Sequence, residues 1–240
     1  LEGDWWTLPS DFGKYQSVTA LAFKNNPATF KHFPAALCAL PRLDTLAFID
    51  CPAINTLDDW GCVSGLHLLV LQDNLNLGAL ENLEALRSLA VLDVRNCPAL
   101  IRVEGASLLE QLTVEQSPQV RLSQVLQSNR GLKSLTLADL PDTALNTANL
   151  AALESLSLYR MRLTNLRGID QNTRLRLLKM DRLDNLTHFT PPAHLSMTYI
   201  SRCESLESLD TWPPSDDLEL LVLAANNALK TLPDLKRLPN

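Results

Sequence analysis

The chain of 240 residues carries 21 Lys and Arg against 27 Asp and Glu, a net charge of −6 that disfavours nonspecific nucleic-acid binding. Hydrophobic residues make up 46% of it and aromatic residues only 5%, so aliphatic side chains must fill the core. No run reaches the roughly 18 apolar residues of a membrane span, and no membrane-spanning helix is expected.

Residues 1–17 hold Trp5, Trp6, Leu8, Phe12 and Tyr15 and share no pattern with the rest of the chain. An aromatic segment can cover the open apolar end of a stack, so residues 1–17 are predicted to form a cap. From Val18 onward one unit recurs, beginning again at Leu43, Leu66, Leu89, Leu109, Leu132, Leu153, Leu175, Leu195 and Leu218, at intervals of 20 to 25 residues. Three and five residues after each start come further apolar side chains with small or polar neighbours, as in Leu92-Asp93-Val94 and Leu135-Thr136-Leu137. That alternation predicts a short strand with one buried face.

Eight residues after the start stand Asn26, Cys51, Asn74, Cys97, Ser117, Cys203 and Asn226, small side chains able to bond backbone groups where a strand ends. Proline comes next in five copies, at 27, 52, 98, 118 and 141, where it favours a turn. Three copies carry Leu140, Met161 and Leu183 instead, so differently shaped turns are expected there. Leu57, Leu80, Val103 and Leu232 are expected to point back into the core from the outer side. Between strands, residues 80–89 and 121–129 read as short helices and 165–172 as turns. About ten repeats occupy residues 18–232, and 233–240 form a tail. A start at Leu1 and a C-terminus without a comparable cap suggest a piece of a longer protein.

The pattern L-x-x-L-x-L-x-x-(N/C)-x-x-L at this period identifies residues 18–232 as a member of the leucine-rich repeat superfamily. The resemblance implies an α/β solenoid: a horseshoe with a parallel concave sheet, and short helices, 3₁₀ turns and loops on its convex side. The turns Cys51-Pro52-Ala53-Ile54 and Cys97-Pro98-Ala99-Leu100 resemble those of plant intracellular immune receptors. Irregular repeats, the aromatic N-terminal segment and arginine in excess of lysine resemble the recognition domains of secreted bacterial effectors. Phe33-Pro34-Ala35-Ala36-Leu37 and Leu232-Pro233 hint at the L-P-x-x-L framework of effector ubiquitin ligases. The implied function is recognition of a protein target in a host cell, beside a separate catalytic domain. The alternatives are a sensor or autoinhibitory domain of an immune-type receptor and a structural or adhesive repeat protein.

Five cysteines, at 38, 51, 62, 97 and 203, include no C-x-x-C pair. All are read as reduced and structural, which implies a cytoplasmic type of protein, or one secreted into a host cell if it is an effector. His32, His67, His188 and His194 lack H-E-x-x-H spacing and local carboxylates, so no metal is expected. Gly61-Cys62-Val63-Ser64-Gly65 has the wrong spacing for a nucleophile elbow. No cofactor and no catalytic residue are predicted.

Residues two, four, six and seven after each start should project from the concave face. The seventh column reads Asn25, Asp50, Asp73, Asn96, Gln116, Asp139, Arg160, Arg182, Arg202, Ala225. Its three consecutive arginines would form a strip roughly 10 Å long, at about 4.8 Å per strand. Tyr159, Lys179, Met197 and Tyr199 lie nearby. Together with Arg160, Arg182 and Arg202 they are the predicted partner-binding residues, suited to a protein with an acidic patch.

Overall fold

The structure is a computed structural model that describes residues 12–25, 35–209, 212–213 and 215–232. They belong to two compact units, Leu1–Asn129 and Arg130–Asn240.

In the first unit the strands Ala20–Lys24, Thr45–Ile49, Leu68–Gln72, Val91–Arg95 and Gln111–Glu115 pair in parallel, each with the next. In the second, Ser134–Ala138, Ser155–Tyr159, Leu177–Asp181, Met197–Ser201 and Leu220–Ala224 do the same. Every strand begins two residues after a copy start, and equivalent positions face one another, so Leu46 meets Leu69, Leu69 meets Leu92 and Leu92 meets Leu112. The repeat register read from the sequence is thus the pairing register of the sheet. The leucine column is sealed within the stack: Leu46, Leu69, Leu135, Leu156 and Leu178 are fully buried. Burying one such side chain contributes about 1.5–3 kcal/mol, so cohesion is spread along the stack. At its first rungs, Phe23 stacks on Phe48 with ring centroids 5.3 Å apart.

Parallel neighbours need a crossover to return the chain. In the first unit the return path is a second small sheet of Thr56–Leu57, Ala79–Leu80 and Arg102–Val103, and in the second unit Ala144–Asn146 pairs with Asn165–Arg167. The helix expected over 121–129 is present as Leu122–Ser128. The one expected over 80–89 is not. There a short strand ends at Leu80 and a single 3₁₀ turn spans Leu83–Ala85. Leu80, Leu83, Leu86 and Leu89 are all buried at a spacing of three, the period of a 3₁₀ turn and not of an α-helix. Residues 165–172 likewise hold the strand Asn165–Arg167 and a 3₁₀ turn Ile169–Gln171, more order than turns alone.

The eighth-position residues behave as their chemistry demands. The Cys51 amide donates to Asn74 Oδ1 at 3.0 Å, and Asn74 Nδ2 donates to the Phe48 carbonyl at 2.8 Å. Ser117 Oγ accepts from the Cys97 amide and Asn226 Oδ1 from the Cys203 amide. The buried thiols of Cys51, Cys97 and Cys203 lie 3.4–3.7 Å from backbone carbonyls as weak donors. Leu140, Met161 and Leu183 form a buried apolar stretch at the same position. In that part of the chain a polar pair sits on the return path instead. Thr147 Oγ1 donates to Asn172 Oδ1 at 2.7 Å, while Asn172 Nδ2 donates to the carbonyls of Thr147 and Leu150.

The reduced state expected for every cysteine is corrected for two of them: Cys38 and Cys62 are disulfide-bonded, with Cα atoms 4.9 Å apart. They occupy the turns Ala35–Ala39 and Gly61–Val63 of successive copies, where stacking sets residues 24 apart in sequence side by side. A bridge of this kind belongs to an oxidising compartment, which argues against the cytoplasmic-type reading, while Cys51, Cys97 and Cys203 are free and buried. Of the predicted cap, Trp5, Trp6 and Leu8 lie outside the described residues. A 3₁₀ turn covers Phe12–Lys14, and Tyr15 is half exposed.

Candidate functional site

The seventh-column residue directly follows each strand, and the backbone there is left-handed in all ten copies, with φ between 48° and 58°. This conformation releases the chain from the ladder into the turn that carries the eighth-position side chain. Asn and Asp tolerate it best among residues with a Cβ, because their short polar chains bond locally. Arginine has no such advantage. Arg160, Arg182 and Arg202 therefore stand where the backbone asks for another residue, and strained positions of this kind gather at functional sites.

The sequence-predicted residues fall on one face of the second unit and are brought together only in part. Tyr159, Lys179 and Tyr199 are half-buried and, with Asp181 and Ser201, line one open depression of about 330 Å³. Lys179 and Tyr199 are direct neighbours across the sheet, with Nζ 5.6 Å from the ring centroid. Such a contact holds a cation over the aromatic face. Arg160 and Arg182 line a separate depression of about 250 Å³ with Met161, Arg162, Asp184 and Asn185. Met197 is 38% exposed, at the far end of its strand from Arg202.

Charge pairing reshapes the arginine strip. Arg160 grips Asp139 through Nε at 2.8 Å and an Nη at 2.7 Å, a two-pronged contact across one repeat. Arg202 donates to Asp181 Oδ1 at 3.0 Å, and Ser201 Oγ donates to the same oxygen at 2.6 Å. Burial pushes the Asp181 carboxyl up, but Ser201, Arg202 and the charge of Arg182 outweigh it and hold the pKa below the usual carboxylate range. Among the described residues, the Arg182 guanidinium has no ion-pair partner within 4 Å. The strip is two braced arginines flanking one that can accept a new anion. Sequence reasoning placed Asp139 in the seventh column and offered Asp181 as an ion-pair partner for the arginines, which Arg202 bears out, but it missed the Arg160–Asp139 contact and Ser201. Asp181 adjoins Arg182 in the chain, but its bonds to the next copy lie 20 and 21 residues away.

Elsewhere Asp217 is an exposed loop charge that pairs with a neighbouring copy. Its Oδ2 lies 2.9 Å from His194 Nδ1 and 3.8 Å from Arg176, an exposed cluster formed by successive copies. Among the described residues no three His, Cys, Asp or Glu side chains gather to hold a metal. No helix among them is long and apolar enough to cross a membrane.

Parallel strands stacked in register at a period of 20 to 25 residues, with sealed leucine columns and a left-handed residue closing every strand, define a leucine-rich repeat fold. No protein-family model and no curated protein matches the chain. Among solved structures it is similar to the leucine-rich repeat domain of the type III effector XopL, at 25% identity over 95% of this chain and 77% of that one, with a TM-score of 0.61. A leucine-rich repeat protein of Leptospira interrogans is 16% identical over 95% of this chain and 80% of its own, with a TM-score of 0.53. TLR13, solved in complex with ssRNA13, is 18% identical over 92% of this chain and 35% of its own, with a TM-score of 0.62. The last two likenesses bear on fold alone.

Proposed function

We propose that this chain is a protein-recognition domain of a secreted bacterial effector, and that it grips an acidic surface of its target through the sheet face of its second unit. The observation that carries the reading is the presence of Arg in three consecutive left-handed positions, one of them, Arg182, without an ion-pair partner within 4 Å among the described residues. Arg and Tyr are enriched at interface hot spots, and Tyr159, Lys179 and Tyr199 supply the aromatic and cationic neighbours. The likeness to an effector's leucine-rich repeat domain supports the setting. Chemistry on the target would belong to another domain.

A photo-crosslinking residue in place of Tyr199 tests this, with the same residue in place of Thr113 on the first unit's sheet as the comparison. In host-cell extract the Tyr199 probe should label one discrete partner protein and the Thr113 probe should not. Labelling from Thr113 alone would refute the assignment of the face.

A further inference from the structure

Beside the arginine column, the sheet register exposes a second row of side chains on the same face. Leu177, Met197 and Leu220 are paired neighbours on consecutive strands, at the opposite end of the strands from the arginines. Met197 and Leu220 are 38% and 39% exposed, the solvent face of Leu177 is half-covered, and leucine and methionine at a solvent-facing strand position have no folding role to explain them. Within this unit the same position holds Ser134 and Ser155 in the two preceding strands, so the row occupies its last three; in the first unit only Leu68 and Val91 are adjacent large apolar residues there, between Thr45 and Gln111. The face thus has an apolar edge, a middle of Lys179, Tyr199 and Val222, and a cationic edge.

We propose that this face is a docking site for an amphipathic helix that carries an acidic stripe beside its apolar one. The proposal rests on the reading of this face as the recognition surface and specifies what that surface accepts. Both rows run across the strands, so an occupant meeting both must present two parallel stripes on one side. An extended chain cannot, because its side chains alternate between opposite faces. A helix can, because residues three and four apart form adjacent stripes. The dimensions agree. Three strands at about 4.8 Å spacing make a row about 10 Å long, and helix positions i, i+4 and i+7 span about 10.5 Å at 1.5 Å per residue. The apolar row and the row of Asp181 and Ser201 lie four residues apart along the strands, about 13 Å, close to the 10–12 Å diameter of a helix with its side chains. Arg202 already folds back over the strand end to reach Asp181, which shows that guanidinium groups of the seventh column can meet the edge of such a helix. The cationic row is offset by one strand from the apolar row, so the acidic stripe should be displaced by about one turn. An acidic occupant is selected by charge: Asp139 and Asp181 offset Arg160 and Arg202, but Arg162, Arg182 and Lys179 against Asp184 leave this face cationic in a chain that is net −6 as a whole.

The test is a panel of synthetic peptides titrated by fluorescence anisotropy against the full chain. The first peptide is helical, with Leu at i, i+4 and i+7 and a neighbouring Glu stripe. The second has Lys in place of Glu, and the third has the composition of the first with its order scrambled to destroy the stripes. The first should bind at least tenfold more tightly than either control. Met197→Asp and Arg182→Glu should each weaken it at least tenfold, and both positions are exposed, so unfolding curves should match wild type. Equal binding of the scrambled peptide would reduce the site to bare charge and overturn the proposal, as would equal binding of the Lys peptide or no binding of the first at millimolar concentration. If the Tyr199 crosslink to a partner persists while every helical peptide fails, only the helix is wrong. If the crosslink moves to Thr113, the face itself is wrong.

Discussion

A left-handed residue closes each strand, and the side chains chosen for it divide structural need from surplus. Asn25, Asp50, Asp73, Asn96 and Asp139 satisfy the backbone, and Asn96 Nδ2 bonds Asp73 Oδ1 at 2.7 Å along the column. The arginines satisfy something else. A second residue that breaks its column is Thr198, at a position occupied by Leu in the other nine copies. Its side chain is fully buried and its hydroxyl has no hydrogen-bond partner. An unmet buried hydroxyl costs about 1–3 kcal/mol. Thr198→Val should therefore raise stability by about 1 kcal/mol in chemical denaturation, and a loss of stability would show that the hydroxyl is satisfied. The buried thiols make a third case. Burial pushes Cys97 and Cys203 up to about 11 from 9.0, so thiol reagents should label them slowly at pH 8 and readily after unfolding. A raised folded pKa means that unfolding releases a proton in alkali. The thiols' contribution to stability is complete below pH 9 and should be lost between pH 9 and 11. Denaturation midpoints that hold constant across that window would contradict the assignment.

At the scale of the element, what the sequence shows depends on how far apart the interacting groups are. Strands and their register are legible because the Leu-x-x-Leu-x-Leu pattern is local, and the helix Leu122–Ser128 is legible for the same reason. The coil at 80–89 misleads because leucines three apart mimic a helical face until the period is counted strictly. Groups joined one repeat apart leave no local mark. The Thr147–Asn172 bond spans 25 residues, the Arg160–Asp139 bond 21 and the Cys38–Cys62 bridge 24. Only stacking makes them neighbours. The left-handed column did leave a signal, since five of its ten residues are Asn or Asp, and a backbone requirement inferred from them marks the three arginines, with Gln116 and Ala225, as exceptions. Two outcomes are expected at this scale. Titration of the unfolded, unreduced chain should count three thiols, and a count of five would remove the bridge. Leu135→Ala, at a fully buried strand position, should lower the unfolding free energy by about 2–5 kcal/mol through lost transfer energy and a cavity. An unchanged midpoint would place the register in error.

For the whole molecule, the central claim is that recognition is confined to the basic, aromatic face of the second unit, while the acidic column of the first unit serves the fold. Changing charge on exposed side chains leaves no cavity, and losing the exposed Arg160–Asp139 ion pair costs about 1 kcal/mol or less. Loss of an interface hot spot costs about 2 kcal/mol or more in binding. Binding and folding are therefore separable here. The most direct measurement titrates the partner crosslinked from Tyr199 against the double variant Arg160→Glu with Arg182→Glu, and against Asp50→Lys with Asp73→Lys, at two salt concentrations. The account predicts at least a thirtyfold loss of affinity in the first variant, near wild-type affinity in the second, and cooperative unfolding in both. Wild-type affinity in the arginine variant, with the loss appearing in the aspartate variant, would contradict it.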